Sequence, residues 1–330
     1  MRPATASRVC VVVFVAAVSC GPWLAHPTGR AAEPGAESLT IGVVRQDGLL
    51  VPVAHFTGAE WAAAWDAPAE ASEAARLLDR LRGEWPLPNR LGGTRWWVWP
   101  RLGWAVPEEN RIAFDLARPV VAASHCQHLV AIATSGDIEP LRRPAVPDRF
   151  PLEMLGLAAS RGDAHVMPAR PFALQSDLPL RTLAQRTFRH AEDDLVAARP
   201  ANEPFALPAL PARLPTPVHW TNAYALRDIT GARFVLGEGR AIYSDGVMTE
   251  GQVWMRMTAG QWSAVGDVAP GGDESKRGVS RVPLGTVHLS DRTFIVAMAY
   301  VYGGEHVEIL EWPPDAARPH VVFQQPAGGC

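Results

Sequence analysis

Apolar residues alternate with smaller or polar ones on either side of Asp47-Gly48. Ile41 and Val43 precede the pair, and Leu49, Val51 and Val53 follow it. The alternation predicts a β-hairpin over residues 40–56, with its turn at a dipeptide that tolerates positive φ. Thr57-Gly58-Ala59-Glu60 matches a capping box and predicts a short helical turn through Trp61 and Trp65. A fuller helix is expected over about residues 69–82. There Ala71, Ala74, Ala75, Leu78 and Leu81 form a stripe, Arg80 and Arg82 suit the C-terminal dipole, and Gly83 stops it.

From Thr94 to about Ile132 the pattern reads as strands: TRWWVW, RIAFDL and PVVAASHCQHLVAIAT. A second helix is expected from Leu180 to Val196, because Leu180, Ala184, Phe188, Ala191 and Leu195 share one helical face. Six prolines then fall between Pro200 and Pro217. No helix or central strand tolerates that density, so residues 199–218 read as an extended connector. Beyond it, strands meet at Asp245-Gly246, Ala259-Gly260, Ser290-Asp291 and Gly303-Gly304. Turns this short require antiparallel pairing. The expected fold class is α+β, mainly antiparallel β with two helices in the N-terminal half. The alternative is an all-β sandwich or barrel-like fold with helical insertions. Residues 38–198 and 219–330 are the two folded regions, packed as one domain or standing as two.

Residues 1–32 differ from everything after them. Arg2 and Arg8 precede the uninterrupted apolar run Val9 to Val18, which ends at Ser19-Cys20-Gly21. That order is the pattern of a secretory signal, and the run is well short of the roughly 20 residues that span a bilayer. Ala17-Val18-Ser19-Cys20 is similar to a bacterial lipoprotein box, in which Cys20 would carry the lipid, although Ala17 stands where such boxes usually have Leu. Cleavage near Gly29-Arg30-Ala31-Ala32 without a lipid is the rival outcome, and an uncleaved anchor the third. The expected location is periplasmic, extracellular or lipid-anchored to the envelope.

Charge narrows the partners. The chain carries net charge −3, and loss of residues 1–32 lowers the basic count from 31 to 28 against 34 acids, or −6. Lys276 is the only lysine, and no basic patch is present to track phosphates, which argues against a nucleic-acid partner. Export leaves Cys126 and Cys330 as the remaining thiols, an even pair where disulfides survive. Their pairing and two free thiols both remain open.

Seven of the twelve tryptophans lie between residues 61 and 104. In a strand, Trp97 and Trp99 share a face with Arg95 and Arg101, while Trp96 and Val98 take the other. An exposed indole pair flanked by arginines would suit a sugar ring or another flat ligand, and burial of both indoles in the core is the competing use. Ser124-His125-Cys126-Gln127-His128 places Cys126 and His128 on one face, too few ligands for a closed zinc site. His190 and Asp194 stand four residues apart on the second helix, beside Glu192 and Asp193, and read as a solvated charged face with Arg186 and Arg189. Gly271 to Gly278 is glycine-rich but lacks phosphate-loop order.

No cofactor or metal is implied. The expected protein is an exported envelope protein with a binding or structural role, whose partners would be carbohydrate or other envelope proteins. A secreted hydrolase of polysaccharide or peptidoglycan is the alternative, since glycosidase carboxylates leave no spacing signature.

Overall fold

Six strands close on themselves in the first half of the chain. The computed structural model describes residues 38–45, 48–66, 68, 70–87, 93–100, 111–123, 128–134, 154–198, 213, 216–243, 246–271, 279–301 and 304–328. Strands β1 (Leu39–Arg45) and β2 (Leu50–Phe56) form the expected hairpin, with Gly48 at φ 81°. β3 (Trp61–Ala63) pairs with β2. Helix α1 (Ala71–Gly83) is followed by β4 (Arg95–Pro100), β5 (Ile112–Ala123), β6 (His128–Thr134) and β7 (Met154–Ala159). The order β1-β7-β4-β5-β6-β2, closed by the β1–β2 pairing, makes an antiparallel barrel with β3 attached outside the ring.

Two five-stranded sheets follow. The central sheet has the order β17 (His320–Gly328), β16 (Gly304–Glu311), β15 (Arg292–Val301), β14 (Ser280–Leu289), β8 (His165–Pro168). The outer sheet runs β13 (Gln261–Pro270), β12 (Met248–Thr258), β11 (Arg233–Ile242), β10 (His219–Arg227), β9 (Arg170–Pro171). Because β8 and β9 precede the Pro-rich connector yet join the sheets that follow it, residues on both sides of the connector share one compact unit.

Alternation on β15 shows how the layers stack. Phe294, Val296 and Met298 face the barrel with Val307 and Ile309, against Ile41, Val43, Val53 and Phe56. Ile295 and Ala297 point the other way, with Leu310 and Trp312, onto Leu226, Phe234, Leu236 and Trp254 of the outer sheet. The outer sheet's far face carries helix α2 (Leu178–Ala197) through Leu180, Ala184 and Phe188 against Val235, Val253 and Met255. Asp177 starts that helix by accepting from Leu180 N–H at 3.1 Å. Inside the barrel, Val44, Leu50, Trp96, Val98, Phe114 and Ile132 form a separate cluster to which α1 adds Ala74, Leu77 and Leu81. The fold is therefore α+β and mainly antiparallel β, with a barrel as the alternative expected.

Four expectations change. Of the two helices only α1 lies in the N-terminal half, since α2 begins at Leu178. The buried stripe of α1 runs through Leu77 rather than Ala71 and Ala75, which are exposed. Thr57 does make its capping contacts, Oγ1 accepting from Glu60 N–H at 3.3 Å, yet the chain continues into β3 instead of a helical turn. Trp61 decides this: its indole packs edge-on against Phe294 at 5.4 Å and beside Phe56 at 5.2 Å, and only an extended segment paired with β2 holds it there. The charged face expected on α2 is solvated only in part. His190 and Asp194 are exposed and 3.4 Å apart, but Arg189 and Glu192 are buried.

Candidate functional site

A line of polar side chains crosses the outer sheet where core residues would be expected. Asn222, Glu238, Gln252 and Asp267 are successive register partners on β10, β11, β12 and β13. Two residues further along the same face, Leu236, Trp254 and Val265 are also partners, and these pack on the central sheet. The face thus changes from apolar to polar within one step of the pleat. Beyond that step the two sheets part and leave a cleft.

Gln252 bridges the cleft. Its Nε2 donates to the carbonyl of Arg281 on β14 at 2.8 Å, and its Oε1 accepts from Arg281 N–H at 2.9 Å. A single amide so completes a strand-like pair between two sheets, and it is 4% exposed. The Arg281 Nε donates to Glu308 Oε2 on β16 at 2.6 Å, a nearly buried ion pair that fixes the opposite wall. Glu238 is held from two sides, accepting from Asn222 Nδ2 and Ser280 Oγ, each at 2.9 Å. At Gly251 a side chain would lie 2.3 Å from the Asp267 carbonyl, so only glycine lets β12 and β13 approach there.

The bridge divides the cleft into two compartments that both touch Gln252 and Asp267. One, of about 160 Å³, is walled by Trp254, Val265, Leu310 and Val321, with Arg281 and Arg318 at its polar side. The other, of about 240 Å³, presents Glu238, Glu250, Ser280 and Tyr300. Asp267, exposed on β13, has no hydrogen-bond or ion-pair partner among the described residues.

The tryptophan strand is placed differently from a ligand platform. Trp96 and Val98 fill the barrel, as the alternation requires, and Trp99 is buried between the barrel and the central sheet. Trp97 is half-buried, and a side chain at Gly162 would lie 2.6 Å from its indole, so backbone already covers that ring. Arg95 is exposed, while Arg101 lies outside the described residues. Trp99 is used in packing, while Trp97 keeps part of its indole accessible. Cys20, Cys126, Cys330, His125 and most of the loop from Gly271 to Gly278 also lie outside the described residues. No group of three metal-ligating side chains is found among the described residues.

A second polar site is buried beneath α2. Glu192, fully buried, accepts from Arg189 Nη1 at 2.6 Å, from the Tyr243 hydroxyl at 2.5 Å and from Thr249 Oγ1. Arg189 also donates to the Tyr243 oxygen and to the Thr216 carbonyl, and Arg213 donates to Asp193 at 2.6 Å. Burial and then the Glu192 carboxylate push the Tyr243 hydroxyl up to about 12. The network ties the end of the Pro-rich connector to the helix, with Arg189 Nε and Arg213 Nε and Nη1 left buried without a hydrogen-bond partner among the described residues. Glu192 could have been found by angle, since it lies about 40° beyond Phe188 at the edge of the apolar stripe. Elsewhere, burial pushes the Glu305 carboxyl up to about 7, with Arg45 pulling the other way, but Glu305 is not part of the cleft.

Comparison with protein-family models, curated proteins and solved structures finds no match to this chain.

Proposed function

We propose that the chain is an exported cell-envelope binding protein that takes a small polar ligand in the cleft between its two five-stranded sheets. The observation that carries the binding part is the polar line from Asn222 to Asp267, which borders the apolar row Leu236, Trp254 and Val265 and holds the buried Gln252 bridge. Such local departures from core patterning are characteristic of functional positions. A partly apolar hollow with a few convergent polar groups is also the usual form of a small-molecule site. Export rests on residues 1–32, with Cys20 as the lipid attachment point. No helix among the described residues is long and apolar enough to cross a membrane.

A thermal-shift panel of maltose, cellobiose, N-acetylglucosamine, agmatine, L-arginine and succinate tests the binding part. A ligand present at a hundredfold excess over its Kd stabilises the folded chain by about 2.7 kcal/mol. The expected result is a shift with at least one probe that disappears in Asp267→Lys. A shift that persists in that variant places the site elsewhere. For export, Cys20→Ser is expected to move the protein from the membrane fraction to the soluble envelope fraction. Unchanged fractionation, with no lipid mass on the natural chain, removes the lipid anchor.

The second reading is a secreted hydrolase of polysaccharide or peptidoglycan. Glu238 and Glu250 are diagonal cross-strand neighbours, and so are Glu250 and Asp267. Diagonal pairs stand roughly 7–8 Å apart at the backbone, a spacing from which two carboxyl groups can reach the roughly 6.5–9.5 Å used by inverting glycosidases. Release of reducing ends from either polymer, lost in Glu250→Gln, would favour this reading over simple binding.

A further inference from the structure

The ligand class follows from how the two compartments divide the work, on the premise that the cleft is the binding site. One compartment is rich in acceptors: the carboxylates of Glu238 and Glu250, together with the shared Asp267, can only accept. Glu238 is held by Asn222 and Ser280, which fixes its direction while leaving lone pairs over, since a carboxylate offers about four acceptor sites. The other compartment sets an apolar wall of Trp254, Val265 and Leu310 against Gln252, Arg281 and Arg318. A ligand suited to both must bring several O–H donors and also a C–H surface. A pyranose ring has both, with hydroxyls at its edge and C–H bonds on its face.

Size sharpens the match. A closed apolar cavity of about 150 Å³ holds benzene, and these compartments, of about 160 and 240 Å³ and open to solvent, can seat a larger substituted ring that projects in part into water. They abut at Gln252 and Asp267, with the Gln252–Arg281 bridge along their boundary. We propose that the cleft binds carbohydrate as a disaccharide unit, one ring in each compartment, with Asp267 accepting from hydroxyls of both rings. A small organic cation would satisfy the carboxylates but meet Arg281 and Arg318 in the other compartment, and a single sugar would fill only one side.

Isothermal titration of the full chain with maltose, cellobiose and N,N′-diacetylchitobiose, each beside its monosaccharide, tests this, with agmatine as the cationic probe. At least one disaccharide is expected to bind at least tenfold more tightly than its monosaccharide, and Asp267→Ala to weaken it about tenfold. Val321→Trp, which fills the compartment beside Trp254 from an exposed position, should remove the disaccharide advantage. Circular dichroism of both variants checks that they fold. Binding of agmatine with no sugar bound, or equal affinity for mono- and disaccharide, overturns the glycan assignment and leaves the cleft reading standing. If no sugar binds and none of the probes perturbs the Trp254 indole, both fall.

Discussion

Glu192→Ala is expected to lower the unfolding free energy by about 3–5 kcal/mol, the range for removing one partner of a buried ion pair. The substitution leaves Arg189, itself 7% exposed, without its carboxylate. It also strips the acceptor from the Tyr243 and Thr249 hydroxyls, both buried. A buried charge left alone costs more than the intact pair contributes, so the paired change Arg189→Met with Glu192→Leu should recover most of the loss. Urea titration followed by tryptophan fluorescence measures both. A loss under about 1 kcal/mol in the single variant, the range of an exposed pair, would mean that Arg189 reaches water.

Phe294→Ala should cost a similar amount, about 3–5 kcal/mol, but for a different reason. Its ring is fully buried where the barrel meets the central sheet, 5.7 Å from Phe56 and 5.4 Å from Trp61, with Arg292 stacked at 4.8 Å on it. Truncation removes dispersion contacts on every side and leaves a cavity that the two neighbouring rings are too stiff to refill. Phe294→Leu, which keeps most of the volume, should lose much less. Phe294 sits in the cluster between barrel and central sheet and Glu192 in the polar network under α2, with no shared partner, so their losses should add within about 0.5 kcal/mol in the double variant. A markedly smaller combined loss would indicate that the two regions unfold independently.

Much of the architecture was legible because local turns announce it. Ala259-Gly260 adopts positive φ at both residues, and Ser290 does so at the next hairpin, where short connections had implied antiparallel strands. The strand that broke the rule is β10. Its register shifts between Trp220 and Asn222, so Trp220 and Ala223 face α2 while Leu226 faces the central sheet. A bulge of this kind resets the two-residue period and hides the strand from any search for strict alternation. Trp61 was misread because its preceding residues carry a sound capping box, and long-range aromatic packing outweighs that local preference.

The cleft was legible only in fragments. Glu238, Gln252 and Asp267 each look like ordinary polar strand residues on their own. Their alignment depends on the register of two hairpins at once, and the bridge to Arg281 joins strands from different sheets. Linear spacing carries none of that. Composition drew attention to tryptophans instead, because large aromatics stand out in a sequence, but in Trp96 and Trp99 that size is used to fill the barrel and the layer beside it.

The most direct measurement is the indole Nε1–H resonance of Trp254, assigned by its loss in Trp254→Phe, during titration of the ¹⁵N-labelled chain with the probes above. Trp254 belongs to the apolar wall beside the Gln252 bridge, whereas Trp97 and Trp99 lie between the barrel and the central sheet. The account predicts that a bound probe shifts the Trp254 resonance saturably and leaves those of Trp97 and Trp99 in place, and that Asp267→Lys abolishes the shift. A saturable shift at Trp97 or Trp99 with Trp254 unmoved would contradict it and return the binding surface to the tryptophan strand.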